Sequence, residues 1–493
     1  MSTGLFIKRQ KIMRKVILLL FIYAFLFGKG GAQTTTITLQ EAIQMAKENS
    51  FEYKIAKNRL QGSVWRFENF KASFLPSIYI NGNIPNYTRA INKITLPNGE
   101  DTFVSQNQAY SSVNLGVRQQ VAFTGGTFSM SSFLNRIDVF GTQKQTRYSS
   151  TPFSISYNQD ILGYNSFKWQ KQIEPLQYES ANRQFVSDME RIASQTVLYF
   201  FGVLSAKSKY ERSKQNLANV DTLYRITKER FRLGNIDQSD LLQLKLNSLN
   251  AQKQLDQDSI DYLLSKKQFN RYLRLTDDDD REVLMHEDIS FFEIPFKEAM
   301  DLARSNSQNV IDFRLQRLQA EQQVAESKAQ NGLKFNINAN FGITNTATSL
   351  RDILSGVENQ QQISIGFSLP ILDWGYAKTQ KKRAEANLEM VKSEIEQKEL
   401  MVEQEISLYV AQWQLQKKKM LVVRESQDIA IKNYELEKNR FLRGTITIND
   451  LNVSQQQKDY ASSAYIDAIG QYWNLYYTLR RLTFYDFEKG RKL

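Results

Sequence analysis

The chain has 493 residues, no cysteine and one histidine, His286. This composition excludes disulfides, thiolate metal sites and a lipid anchor on an N-terminal cysteine, and it argues against a histidine-based catalytic pair or zinc cluster. The formal net charge is +12, of which the first 32 residues contribute six. The rest of the chain is therefore too weakly basic to favour nucleic-acid binding.

Residues 1–32 have the pattern of a secretory signal peptide. Basic residues between Lys8 and Lys15 precede an unbroken apolar run from Val16 to Phe27, and small residues suit cleavage before Gln33. The apolar run is short for a bilayer span, so we expect this leader to be removed and the mature chain to be exported. A short N-terminal membrane anchor is the alternative interpretation.

Two motifs recur in the remainder of the chain. The segment around Glu41 returns around Glu298, at an offset of 257 residues. The pattern Arg-Phe-x-x-Gly-x-Ile-x-x-x-Asp-Leu begins at Arg230 and again at Arg440, at an offset of 210. We interpret the chain as two structural repeats, residues 33–285 and 286–493, with 47 additional residues inserted between about 75 and 160 of the first.

Each repeat begins with a predicted helix, over about 39–73 and about 296–331, and then changes to a two-residue periodicity. The alternating segments have one apolar and one polar face, which is typical of membrane barrel strands, although a soluble sheet gives the same pattern. The predicted strands are 77–87, 111–123, 127–135 and 152–162 in the first repeat and two within about 334–372 in the second. The additional residues are long enough for one hairpin, which would either widen a barrel or form a flap on the outer surface.

A long helical hairpin is predicted at the end of each repeat, with its turn near residue 234 or residue 444. No proline occurs between 176 and 294 or after 370, which permits long helices. Apolar residues keep a seven-residue step from Leu388 through Ile395 and Val402 to Tyr409, as in helices packed in coiled-coil fashion. Residues 375–443 would form a rod of roughly 100 Å.

Two to four strands per repeat cannot close a barrel alone, and open sheet edges are not tolerated in lipid. The pattern therefore predicts a mainly α-helical chain whose few strands join those of other copies in a shared β-barrel, while the long helices form a tunnel.

The order of elements, the two unequal halves and the repeated motif at the hairpin turns resemble the TolC-type outer-membrane efflux family. The resemblance spans about residues 37–485. It implies a homotrimer, a β-barrel in outer-membrane lipid and an α-helical tunnel in the periplasm. It also implies two partners at the tunnel's lower end, a periplasmic adaptor (membrane fusion) protein and an inner-membrane pump. It implies no cofactor and no enzymatic activity.

The turns supply the candidate functional residues. Glycine permits the left-handed backbone needed where a helix ends, and the resemblance implies that these tips form the adaptor-docking surface: Gly234, Gly444, Leu233, Ile236 and Ile446. Asp450 matches a pore-ring aspartate of the family, and Asp240 is its repeat equivalent, so both are candidates for the periplasmic entrance and its gate. A second family carboxylate is replaced here by Val453. Both aspartates also suit simple helix N-terminal stabilisation.

Arg230 and Arg440 are the remaining gate candidates. They would either pair with acidic residues at the tips or cap helix C-termini. The four consecutive acidic residues Asp277–Asp280 are read as a solvated linker, because their spacing fits no calcium loop. A periplasmic coiled-coil adaptor or structural protein of an export complex is the alternative function. The sequence does not identify the transported substrate or the pump class.

Overall fold

The computed structural model describes residues 35–141, 144–234, 236–276, 281–285, 289 and 291–493. The predicted signal peptide, the run Asp277–Asp280 and His286 lie outside the described residues. Among the residues that the structure describes, no helix is both long and apolar enough to cross a bilayer. The chain divides into two compact units, one with residues up to 53, 189–293 and 412–478, the other with residues 54–188, 294–411 and 479–493.

Four pairs of helices recur with nearly identical lengths. The first repeat contains α1 (Leu39–Asn49), α2 (Phe51–Ala72), α3 (Ser166–Arg232) and α4 (Gln238–Leu273). The second contains α5 (Phe296–Asn306), α6 (Gln308–Gln330), α7 (Tyr376–Leu442) and α8 (Ile448–Thr483). Helices α3 and α7 both have 67 residues, and α4 and α8 both have 36. The bounds of both pairs differ by the 210-residue offset of the repeated motif.

The prediction of one continuous opening helix in each repeat is wrong, because the chain bends out of helical conformation at Ser50 and at Ser307. Both residues have extended backbone, with ψ near 158° and 154°. Each follows an asparagine, and Asn and Ser side chains compete for the backbone hydrogen bonds of a helix. The Ser50 hydroxyl accepts a hydrogen bond from the Tyr53 N–H at 3.1 Å, so it starts α2 where α1 ends.

The strands form a six-stranded antiparallel sheet, all of it within the second unit. Its strands are β2 (Ser77–Thr95), β3 (Asp101–Val121), β4 (Gly126–Val139), β5 (Gln145–Ile161), β7 (Lys334–Ala347) and β8 (Glu358–Ser368). Their order across the sheet is β2-β3-β4-β5-β7-β8. The number of strands in this sheet agrees with the alternating segments, but β2 has 19 residues where 77–87 predicted 11, and β3 has 21 where 111–123 predicted 13.

The two faces of this sheet differ in polarity across all six strands. Val117 is paired with Met130, which in turn is paired with Ile155. On the opposite face, Thr127 is paired with Asn158 and Asn158 with Asn338. This alternation is what a wall between an apolar and an aqueous phase requires.

The first unit has its own core among the helices. Short strands β1 (Thr35–Ile37) and β6 (Arg281–Val283) pair in parallel, which the sequence did not predict. The Trp413 indole N–H donates to the Phe292 carbonyl at 3.0 Å, and its ring lies 4.9 Å from that of Tyr472. The C-terminal aromatic residues Tyr472, Tyr476 and Tyr477 are also buried and belong to this core. The last strands, β9 (Tyr485–Asp486) and β10 (Arg491–Lys492), form a small hairpin in the second unit.

Candidate channel entrance at the helical hairpin turns

The turn glycines Gly234 and Gly444 both have the left-handed backbone that the sequence predicted, with φ of +73° and +76°. The Gly444 N–H donates to the Phe441 carbonyl at 2.9 Å, and the Thr445 N–H donates to the Arg440 carbonyl at 3.1 Å. This pair of bonds is a Schellman motif, which ends a helix at a glycine. At the other turn the Gly234 N–H donates to the Phe231 carbonyl at 3.0 Å, which is the equivalent of the first of these two bonds.

A small apolar cluster holds the four helix ends together. Its buried members are Leu223, Leu244, Tyr434, Ile448 and Leu451, which come from α3, α4, α7 and α8. Tyr224, Phe441, Leu442 and Ile446 pack against it and are partly buried. Ile446 therefore supports the turn from inside and offers only part of its side chain to a docking partner. Leu233 is 75% exposed.

Arg230 links the two repeats at the turns. Its guanidinium Nη2 donates to the carbonyl of Leu442 at 2.6 Å, and Leu442 is the last residue of α7. Helix-terminal carbonyls lack partners within their own helix, so a cation from α3 caps the neighbouring helix. Arg440 instead pairs with Glu437 one turn earlier, at 2.8 Å.

Asp450 is the third residue of α8 and forms a reciprocal cap with Thr447. Its carboxylate accepts from the Thr447 N–H at 3.0 Å and from the Thr447 hydroxyl at 2.7 Å, while its own N–H donates to that hydroxyl at 3.3 Å. These hydrogen bonds lower the pKa of Asp450 below its usual value, the Thr447 hydroxyl contributing most. Asp450 is thus an exposed anion held in one orientation.

Asp240 occupies the equivalent position in α4 without an equivalent cap. The residue that would cap it, Asp237, has extended backbone but makes no side-chain cap hydrogen bond. Asp240 is exposed in the first turn of its helix. The two candidate gate carboxylates therefore share a place in the fold but differ in how firmly their side chains are held.

A buried polar layer lies along the helices behind the turns, and sequence analysis did not find it. Arg212 of α3 donates to the Ser463 hydroxyl of α8 at 2.9 Å. Asp459 lies 3.6 Å from the Arg212 Nε, and partial burial raises the pKa of its carboxyl. Lys458 lies 4.1 Å from the centre of the Tyr434 ring, and burial lowers the pKa of its ammonium. The signal for this layer in the sequence was the presence of charged residues on helix faces whose other residues pack against neighbouring helices.

Comparisons with known proteins agree with this geometry. Residues 299–483 match the family model described as outer membrane efflux protein, which covers most of the second repeat. Comparison with curated proteins found no significant match.

Solved structures of bacterial outer-membrane channels are similar over nearly the whole chain. The Campylobacter jejuni CmeC outer membrane channel has a TM-score of 0.65 at 16% identity, covering 90% of this chain and 85% of that one. A membrane protein from Pseudomonas aeruginosa has a TM-score of 0.66 at 13% identity, covering 92% and 91%. The Vibrio cholerae outer membrane protein VceC has a TM-score of 0.64 at 13% identity, covering 90% and 95%. These comparisons confirm the predicted family resemblance and fold class: residues 299–483 match the outer membrane efflux protein family, and the chain has the fold of TolC-type outer-membrane channels.

Proposed function

We propose that several copies of this outer-membrane efflux channel, three by similarity to its family, join their sheets into one closed barrel. Their long helices then form the periplasmic tunnel through which a pump delivers its substrate to the outside. The chain acts as a conduit and carries out no reaction of its own.

The observation that supports this proposal most directly is the pair of open sheet edges. Strands β2 and β8 each pair with one strand of the sheet, which leaves a row of backbone donors and acceptors on the other side. In hydrocarbon, each unpaired backbone N–H or C=O group costs roughly several kcal/mol of free energy, so a sheet that spans a membrane has to close. A second copy of the same chain supplies the missing edges.

The strand directions permit this closure. All five strand pairs of the sheet are antiparallel, so with six strands β2 and β8 run in opposite directions. When β8 of one copy meets β2 of the next, the new pair is antiparallel as well. The apolar side chains at both edges, among them Ile78 and Ile365, are exposed in the single chain and would face lipid.

The proposal is tested by purifying the mature chain in detergent, measuring its mass by light scattering, and adding it to planar lipid bilayers. We expect an oligomer of three chains and discrete conductance steps. A monodisperse monomer that does not insert into bilayers would refute the shared barrel.

We further propose that the hairpin turns form the periplasmic entrance and dock the adaptor protein. Leu233 supports this role because burial of its exposed side chain against a partner would be worth roughly 1.5–3 kcal/mol. Its replacement in Leu233→Asp should weaken capture of the adaptor by at least tenfold, while the conductance of the isolated channel stays unchanged. The matched control is Leu451→Asp, which disrupts the buried cluster and should affect folding as well.

Asp450 is our candidate for a carboxylate ring at this entrance, since symmetric copies would repeat each fixed anion around the axis. Such a ring attracts cations and repels anions. If cations held by the ring obstruct a narrow entrance, Asp450→Ala should raise cation conductance and weaken block by multivalent cations.

Thr447→Ala is the control that separates the two roles of Asp450, because it removes the cap and keeps the charge. If Thr447→Ala reproduces the conductance change, the effect comes from a loosened helix end. If neither variant differs from the parent channel, Asp450 does not line the entrance.

A further inference from the structure

The first repeat contains one hairpin that the second lacks, and the structure identifies it. Residues 73–125 separate α2 from β4, whereas only residues 331–333 separate α6 from β7. Strands β4 and β7 both have 14 residues. Strands β4 and β5 therefore correspond to β7 and β8, and the additional hairpin consists of β2 and β3.

The sheet order supports the same assignment. Without β2 and β3, the remaining order β4-β5-β7-β8 is still an unbroken sheet. Removal of β3 with β4, or of β4 with β5, would leave a gap in the hydrogen-bonded order. An edge is the one place where a hairpin can be inserted without disturbing existing strand pairs.

The additional hairpin continues both faces of the sheet. Ile78 is paired with Val117 and Ile80 with Leu115 on the apolar side, and Asn81 is paired with Asn114 on the polar side. Tyr79 lies over Gly116, where an added Cβ would stand 2.3 Å from the tyrosine ring. A flap folded over the outer surface would have no need of a continuous apolar face or of this close fit between its strands.

Only the distal part of the hairpin leaves the sheet. The pairing of β3 with β4 runs from Val121 to Gln108, and the Asn107 carbonyl still accepts from the Phe140 N–H just beyond β4, so residues 101–106 of β3 pair with β2 alone. The register also shifts between Asn83 and Asn86, close to the level at which β3 leaves β4. The hairpin thus has a proximal part within the wall and a distal part that extends beyond β4.

We infer that the proximal part of β2–β3 belongs to the membrane wall, so that each copy contributes six strands and β2, rather than β4, meets β8 of the next copy. This inference rests on the proposed shared barrel. Because barrel diameter grows roughly in proportion to strand number, the outer opening would be about half again as wide as one built from four strands per copy.

The test uses introduced cysteines, which are the only cysteines in the chain. Ser364→Cys in β8 is combined in turn with Ser77→Cys, Asn81→Cys or Asn83→Cys in β2. The matched set combines it with Thr127→Cys, Ser129→Cys or Ser131→Cys in β4. All these positions lie on the polar face. The full-length oligomer is treated with oxidant and with a short bifunctional maleimide, and products are separated by mass under denaturing conditions.

We expect at least one β2 pairing to give covalent oligomers in severalfold higher yield than any β4 pairing. Higher yield from β4 would show that the hairpin is a flap. If neither set cross-links an oligomer that conducts, the edge assignment is wrong although the shared barrel stands. If the parent chain is a monomer, the shared barrel itself fails.

Two deletions provide a second measurement. Removal of residues 74–123 deletes β2 and β3 and leaves a linker before β4 as long as the one before β7. In this variant Ser364→Cys should cross-link to the cysteines in β4. Replacement of residues 89–107 by Asn-Gly shortens only the distal part, since this dipeptide suits a tight hairpin turn. This shorter variant should keep the β2 cross-link. Loss of the β2 cross-link on shortening would contradict the division into a wall part and a protruding part.

Discussion

Helices α3 and α7 have the same length and the same place in their repeats, yet their equivalent faces are opposite in chemistry. On α3, Arg212 is 17% exposed and contacts α8 within the chain. The equivalent residue on α7 is Val422, which is 65% exposed. Its neighbours one heptad away, Leu415 and Ile429, are also exposed. One face is polar and covered, and the other is apolar and uncovered.

The difference indicates what covers α7 in the assembled channel. If the repeats pack alike around a ring, the contact of α3 with α8 inside one chain is repeated between α7 and α4 of the next chain. The 210-residue offset then gives the register of this contact. Val422 corresponds to Arg212, and Leu249 on α4 corresponds to Asp459, which lies near Arg212. We therefore expect Val422 of one copy to lie near Leu249 of the next. Leu249 is exposed in the single chain, so an apolar pair across copies would replace a charged pair within one copy.

The largest effect is expected from placing a charge on the uncovered face. Val422→Glu should prevent stable assembly, because it replaces a valine that the proposed contact between copies would bury with a carboxylate that would have to lose water there, a cost of about 2 kcal/mol or more at each junction. Mass photometry at decreasing protein concentration should show dissociation at concentrations at least tenfold higher than for the parent chain.

The control is Lys417→Glu, an exposed position on a different side of α7, which should assemble normally. The register is checked separately by combining Val422→Cys with Leu249→Cys, which should give a disulfide between copies. If the Val422→Glu protein assembles normally, this face of α7 does not lie between copies. The difference between α3 and α7 would then not be explained by a contact between copies.

A smaller effect should follow from giving the first repeat the residues of the second. Arg212→Val alone removes the ion pair with Asp459 and the hydrogen bond to Ser463, and it should lower the free energy of unfolding by about 1–2 kcal/mol. The double variant Arg212→Val with Asp459→Leu recreates the apolar pair expected between copies and should recover most of that loss. Denaturant unfolding of both variants measures the coupling, and strictly additive losses would contradict it.

Much of this architecture could be predicted from the sequence, since the repeated motif fixed the offset and the glycines fixed both turns. The alternating segments gave the right number of strands. The length of β2 and β3 was missed because residues 86–107 lack the clean alternation of a wall strand. The helix breaks at Ser50 and Ser307 were missed because neither is marked by a nearby proline or glycine, the residues that most reliably end a helix.

The roles of the charged tip residues were harder to predict. Arg230 caps a helix at Leu442, a residue 212 positions further along the sequence, and no local pattern reveals that contact. Asp450 has one cap partner close in sequence, Thr447, so its cap was accessible from a threonine three residues before an acid. The ring proposed for it depends on other copies of the chain, so no sequence pattern within one chain could predict it.

The caps of α8 and α4 should differ by a modest amount. Thr447→Ala removes a formed cap and should cost about 1 kcal/mol. Asp237→Ala, at the equivalent residue of α4, removes a side chain that makes no cap hydrogen bond and should cost less. Thermal unfolding of the two variants under identical conditions measures the difference. Equal losses would mean that the two turns are equivalent in stability despite their different hydrogen bonds.

The smallest effect concerns the pH dependence of the α8 cap. The folded-state pKa of Asp450 lies below its usual value of 3.8, so its ionised form is favoured by folding. Its contribution to stability is present above pH 3.8 and is lost as the pH falls through the lowered pKa. The difference in unfolding temperature between the parent chain and Asp450→Ala should therefore be constant near neutral pH and should shrink in acid. A difference that persists unchanged to pH 2 would mean that the threonine hydroxyl alone, without the carboxylate charge, holds the start of α8.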